Sequence, residues 1–322
     1  LLARAIPDLV GPLLNPPCLD AENLPVATPS GPLEACPPGA HREFDPVVDI
    51  HIGVISTSLG SRGGTVNCAD DGARLLTRDG EGGDVATYGG KGFLGWDPAQ
   101  KQDPAGESDL DQLGADLANL VSGVGQTGCG YEAQLESWYR FLVDPEPYEK
   151  VELTQDANGK PVTELRGVDV GLLQQRRDFL RPDSMVAIVV LSDENDCSFR
   201  AAGQGYFTAT PQTLFSLKAR HECSVDQADP CCAPCGYAPS SCAADPTCQE
   251  PMPPDHDAPD LACFDQKRRF GADFLYPVDR YVDGLTSAQV PNQKGELVDN
   301  PLFLSEEGVS RPHGQIFLAG IV

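Results

Sequence analysis

The densest chemistry in the sequence is the run Ser192-Asp193-Glu194-Asn195-Asp196-Cys197, which follows the apolar stretch Met185 to Leu191 without a break. Three carboxylates in four positions repel one another unless they are solvated, hydrogen-bonded or neutralised by a cation, and oxygen donors of this kind suit Mg²⁺ or Ca²⁺. Asp193, Glu194 and Asp196 therefore read in one of two ways. They form a divalent-cation site, or they form an acidic turn whose Asp and Asn side chains bond the local backbone.

The cysteines carry the second signal. There are 12, an even number. Several stand in Pro-rich polar stretches where a reduced thiol has no core to enter, which points to disulfides and an oxidising compartment. Cys18 and Cys36 bracket a segment holding Pro25, Pro29 and Pro32, which reads as a loop closed at its base by a disulfide. Cys231-Cys232-Ala233-Pro234-Cys235 contains a C-x-x-C. A thioredoxin-type dithiol opens a helix after a strand, whereas this one lies in a Pro-rich loop, and zinc needs thiols that such a compartment oxidises; structural disulfides are expected. His221 and His256 nearby read as surface residues. The chain has no G-x-S-x-G and no phosphate loop. His41, His51, His221, His256 and His313 lack a nucleophile-and-carboxylate context, and His51 reads as a hydrogen-bonded core residue; the expectation is a protein that is not an enzyme.

Behind these residues must lie elements that position them. Leu1 to Leu14 has apolar residues at helical spacing, as do Asp109 to Val121, Tyr131 to Val143 and Tyr276 to Ala288. Asp169 is placed to cap a helix that ends before Pro182. Val47 to Thr57 and Met185 to Leu191 read as buried strands, the first as a central parallel one, and the run Gln315 to Val322 as one more strand. Asn158-Gly159 between Val151-Thr154 and Val162-Leu165 predicts a tight hairpin. Ser58 to Gly106 reads as a surface excursion, and Ser198 to Phe270 as a Cys-rich one. Strand and helix alternate at three places, which predicts an α/β sandwich with a mostly parallel central sheet and long disulfide-rich loop insertions. Its site would lie beyond the strands' carboxyl ends.

The segments Gly128-Cys129-Gly130-Tyr131-Glu132, Phe179 to Ser184, Leu191 to Ser198, His51 to Thr57 and Tyr276 to Val282 together resemble secreted bacterial proteins of the von Willebrand factor A type. That resemblance implies a Rossmann-like three-layer sandwich in a single domain over 1–322, with insertions at about 15–45, 58–106, 145–166 and 198–270. It further implies a metal-ion-dependent adhesion site on the rim. Asp193 after Ser192 matches that site's third loop, with Glu194 and Asp196 beside it, and Thr127 stands a few residues ahead of the second-loop position. The first loop, a D-x-S-x-S, does not occur, and the chain reads as a fragment truncated at both ends. On such a rim Cys129 and Cys197 would be neighbours, so a disulfide between them is expected, with pairing to other cysteines such as Cys68 as the alternative.

The function implied is an extracytoplasmic protein-binding or adhesion module, with Mg²⁺ or Ca²⁺ completed by an acidic group from a protein partner. A secreted metal-dependent hydrolase on the same acidic rim and a purely structural envelope protein are the alternatives. Lys and Arg number 23 against 48 Asp and Glu, a net charge of −25, so the chain repels phosphate backbones and nucleic acid is not an expected partner. No apolar run reaches the length of a membrane span. The 33 Gly and 29 Pro exceed the usual share and agree with long ordered loops.

Overall fold

A computed structural model of the chain describes residues 10–128, 130–210, 218–252, 261–305 and 308–321. The chain divides into two compact units. One comprises 1–56, 74–126 and 177–179, the other 57–73, 127–176 and 180–322.

In the first unit, residues 10–14 form a helical turn, α1, closed by the Asn15 amide on the Gly11 carbonyl. β1 (Cys18–Leu19) is then the middle of a small antiparallel sheet with β2 (Pro25–Ala27) and β3 (His41–Arg42). The predicted Cys18–Cys36 disulfide is present. Arg42 fixes the same loop by donating to Asn15 Oδ1 and to the carbonyls of Pro16, Gly31 and Glu34. β4 (Ile50–Ile52) pairs antiparallel with β5 (Leu94–Trp96), and α2 (Leu110–Ser122) starts where the Asp109 side chain accepts from the amides of Asp111 and Gln112. Leu113, Leu117 and Leu120, one stripe of α2, pack with Leu14, Val85, Leu94 and Trp96.

Two expectations fail in this unit. Val47 to Thr57 is not a buried parallel strand: only Ile50–Ile52 is extended, it is half-buried, and its one partner strand runs antiparallel. After Ile52 the chain hydrogen-bonds Leu76 through the Val54 carbonyl instead of continuing a sheet. Nor is Ser58 to Gly106 all surface, because Leu75, Leu76, Val85, Phe93, Leu94 and Trp96 within it are buried. His51 is hydrogen-bonded as expected but half-buried, with Nδ1 2.8 Å from the Phe179 carbonyl and its ring 4.3 Å from that of Phe93.

The second unit contains α3 (Gln134–Leu142), the hairpin β6 (Lys150–Gln155) and β7 (Pro161–Arg166), α4 (Val170–Phe179, whose last turn belongs to the first unit) and β8 (Val186–Leu191). The short helices α5 (Glu222–Val225) and α6 (Gln266–Phe270) follow, then α7 (Asp279–Thr286), the hairpin β9 (Gln289–Pro291) and β10 (Leu297–Asp299), and β11 (Ile316–Ile321). The β6–β7 hairpin closes around Asn158-Gly159, and Asp169 caps α4 through the Leu172 amide, both as the sequence predicts. Arg176 of α4 donates to the carbonyls of Arg140, Phe141 and Asp144, satisfying acceptors that the end of α3 leaves open. Across α3 and α7, Arg280 makes two 3.0 Å bonds to the Glu136 carboxylate, which also accepts from the Tyr281 hydroxyl. A Cβ at Gly284 would lie 2.9 Å from the Tyr139 ring, so only glycine permits this approach of α7 to α3.

The mostly parallel, Rossmann-like sandwich is not the architecture. Among the described residues β8 and β11 form a two-stranded parallel pair, in register from Val186 opposite Ile316 to Leu191 opposite Ile321, and every other sheet is small and antiparallel. Apolar runs mark strands but not their partners, and here β6 with β7 and β9 with β10 pair locally across short loops, while β4 finds β5 far along the chain.

The Cys197–Cys129 expectation is also corrected. Cys197 is bonded to Cys263, and Cys129 lies outside the described residues. The Cys197 side chain enters a buried cluster with Phe199, Tyr206, Phe207, Phe270 and Phe274, against which Cys263 packs, so it is directed inward. The C-x-x-C segment is structural, through Cys223–Cys232, Cys231–Cys242 and Cys235–Cys248.

Candidate functional site

β8 delivers the acidic run. The Ser192 amide bonds the Ile321 carbonyl, extending the β8–β11 ladder by one step, and then the chain turns. The turn is held by Ser192 Oγ, which accepts from the Glu194 amide and contacts its carbonyl at 3.2 Å. Asp193 and Glu194 are left exposed at the tip.

Asp196 points the other way. Its Oδ1 accepts from the Leu135 amide at 2.9 Å and from the Ser198 hydroxyl, and its Oδ2 accepts from the Ser198 amide. Ser198 Oγ in turn accepts from the Glu136 amide. The first turn of a helix has amides without helical partners, and Ala133 at the start of α3 has no side chain to cap them. Asp196 and Ser198 do this from sixty residues away. The Ala133 amide reaches the Thr57 carbonyl and the Cys197 amide the Glu132 carbonyl, so three segments are laced together.

Glu132 and Gln134 complete the mouth. Gln134 is buried, at 5% exposure, and its Nε2 donates to Ser192 Oγ at 2.7 Å and to Glu132 Oε2 at 3.3 Å. Its Oε1 has no partner. Burial, then the charges of Glu194 and Asp193, push the Glu132 carboxyl above the usual Glu range, against a hydrogen bond from Thr57. The groups converging here are almost all acceptors.

Of the residues singled out by sequence, Ser192 and Glu194 join one hydrogen-bonded turn with Asp193 at its tip, and Asp196 bonds Ser198 and the start of α3 instead. Thr127 is exposed, and no hydrogen bond among the described residues brings it to that turn. Both Asp196 oxygens are committed to N–H and O–H donors, and among the described residues no group of three or more His, Cys, Asp or Glu is placed to hold a metal ion. Sequence reading missed Glu132 and Gln134 as site residues, because their role depends on a turn sixty residues downstream.

The sequence matches no family model, no curated protein and no solved structure. Five disulfides among the described residues agree with a protein of an oxidising, extracellular type of compartment. No helix among the described residues is long and apolar enough to cross a membrane.

Proposed function

We propose that the chain is an extracytoplasmic, non-catalytic binding protein that receives a cationic group of a protein partner, a Lys or Arg side chain, at the mouth formed by Glu132, Gln134, Asp193 and Glu194. The observation that carries this reading is the excess of acceptors. Three carboxylates and the unpartnered Gln134 Oε1 stand together, and the Glu132 pKa is raised by burial first and then by the charges of Glu194 and Asp193. An ammonium or guanidinium supplies the donors and relieves that repulsion. The partner group is thus basic, the opposite of the acidic group that a resident metal would call for. A net charge of −25 speeds the approach of a basic partner.

The test is calorimetric titration of the full chain with a short oligolysine peptide at low and high salt. Saturable, salt-sensitive binding is expected. Asp193→Asn with Glu194→Gln should weaken it at least about tenfold, whereas Glu22→Gln with Glu43→Gln, which removes the same charge at exposed positions of the other unit, should not. Equal loss in both pairs would mean that only net charge is being read and would overturn the proposal. Stoichiometric Ca²⁺ or Mg²⁺ binding that Asp193→Asn abolishes, without oligolysine binding, would replace it with the divalent reading.

A further inference from the structure

β8 and β11 leave one side of their ladder unused. The Ile321 carbonyl faces β8, where it accepts from the Ser192 amide. Because backbone groups alternate sides along a strand, Phe317 and Ala319 also bond toward β8, and the amides and carbonyls of Leu318 and Gly320 face the opposite edge. Among the described residues no strand pairs with β11 there. An open edge of this kind is ordinarily blunted by a charge, a Pro or a bulge. Ile316-Phe317-Leu318-Ala319-Gly320-Ile321 has none of these, and its register with β8 is unbroken.

One face of the pair is bare as well. Residues opposite each other in a ladder share a face, so Phe317 lies with Ala187, Ala319 with Val189, and Ile321 with Leu191. All six are apolar, and Phe317 is 52% and Val189 46% exposed. On the other face Val186 and Ile188 are buried, so β8 is covered there, while Leu318 at the margin is 48% exposed. Parallel strands are ordinarily covered on both faces, and a contiguous exposed apolar patch marks an interaction surface.

Charge indicates the occupant. The patch itself is uncharged, and at its carboxyl end the ladder runs into Asp193 and Glu194, beside which Glu132 stands. At a net charge of −25 the chain repels a second copy of itself and attracts a basic segment. A strand added to β11 lies one strand spacing from it and two spacings, about 10 Å, from β8. A Lys or Arg just past the end of that strand and the Asp193 or Glu194 side chain together bridge this gap.

We propose that β11 receives an extended apolar strand of the protein partner, paired through Leu318 and Gly320, with a Lys or Arg beyond the Ile321 end as the group that enters the mouth. Strand addition of this kind draws affinity from main-chain bonds and selectivity from the side chains on the two faces. The basic end rests on the cation-receiving role proposed for the mouth, whereas the strand rests on β11 alone.

Two short peptides test this, one of alternating Val and Thr ending in two Lys and one with the Lys pair first, so that either strand direction can bring the charge to the mouth. Titrated into the full chain, one of them is expected to bind at least about tenfold more tightly than a Gly/Ser peptide with the same Lys pair. Its binding is expected to slow hydrogen exchange at the Leu318 and Gly320 amides, while those of Phe317 and Ala319, already bonded to β8, change little. Leu318→Pro removes a donor that faces away from β8, and Phe317→Ser removes apolar surface from the exposed face. Each is expected to cost that tenfold and to leave oligolysine binding unchanged. No preference of the wild type for either Val/Thr peptide overturns the proposal, and the role of the mouth then stands if oligolysine still binds. Tight binding that both variants leave intact overturns it too. Binding lost in those variants but untouched by Asp193→Asn with Glu194→Gln would overturn the cationic mouth and the basic end with it. A dimer in sedimentation that Leu318→Pro makes monomeric, with no peptide bound, would put a second copy on the edge and refute the partner strand.

Discussion

Glu132 and Asp196 lie in the same laced corner and have opposite environments. Asp196 is surrounded by donors and serves the backbone. Glu132 is half-buried beside two other acids and has its pKa raised, by burial first and by Glu194 and Asp193 next. A carboxyl whose folded pKa exceeds its unfolded value binds its proton more tightly when folded. Its contribution to stability is complete below the unfolded Glu pKa and is lost as pH rises through the raised folded value. Glu132→Gln keeps an acceptor for Thr57 and removes the repulsion, so it is expected to stabilise the protein at neutral pH. The gain is no more than about 1 kcal/mol, since much of Glu132 remains in contact with solvent. Thermal melts of both proteins from neutral to acidic pH check this. The advantage of Glu132→Gln must shrink as pH falls through the Glu range, and an advantage that grows toward acid would show that the carboxylate is stabilised where it stands.

At the scale of the elements, local signals translated directly and partnerships did not. Asp109 accepts from two amides at the start of α2, so Asp109→Ala is expected to cost about 1 kcal/mol. Urea denaturation would read that loss, together with faster hydrogen exchange in the first turn of α2; unchanged stability would mean that solvent replaces the cap. This cap, the Asp169 cap and the Asn158-Gly159 hairpin were all legible, because each is set by residues within a few positions of one another. The β8–β11 pair was legible as two apolar strands, but the sheet inferred around it was not there, since an apolar run carries no record of its partner or direction. The same limit hid the candidate site. Asp196 looked like a ligand by its company with Asp193 and Glu194, yet its carboxylate is spent on α3, whose own first residues offer no cap. Non-local capping leaves no local pattern to read.

For the whole molecule, covalent and apolar stabilisation are distributed unevenly. The first unit has a cluster built on Leu14, Leu94, Trp96, Leu113, Leu117 and Leu120, whereas the buried cluster around Cys223 and Cys232 adds only Ala219. Between Cys223 and Cys248 three disulfides, with separations of 9, 11 and 13 residues, stand in for that missing core. Loops of this size gain about 2–3 kcal/mol per bridge from the lost freedom of the unfolded chain. Their reduction removes most of what holds the segment, while α2 keeps its apolar face. Alkylation of denatured, unreduced protein is therefore expected to label almost no cysteine. After a graded dose of reductant, amides of 218–248 are expected to lose protection from hydrogen exchange before those of α2 and β8. Loss of protection in all three at the same dose would show that the Cys-rich segment is held by packing or by the rest of the unit, and would refute the assignment of its stability to the bridges.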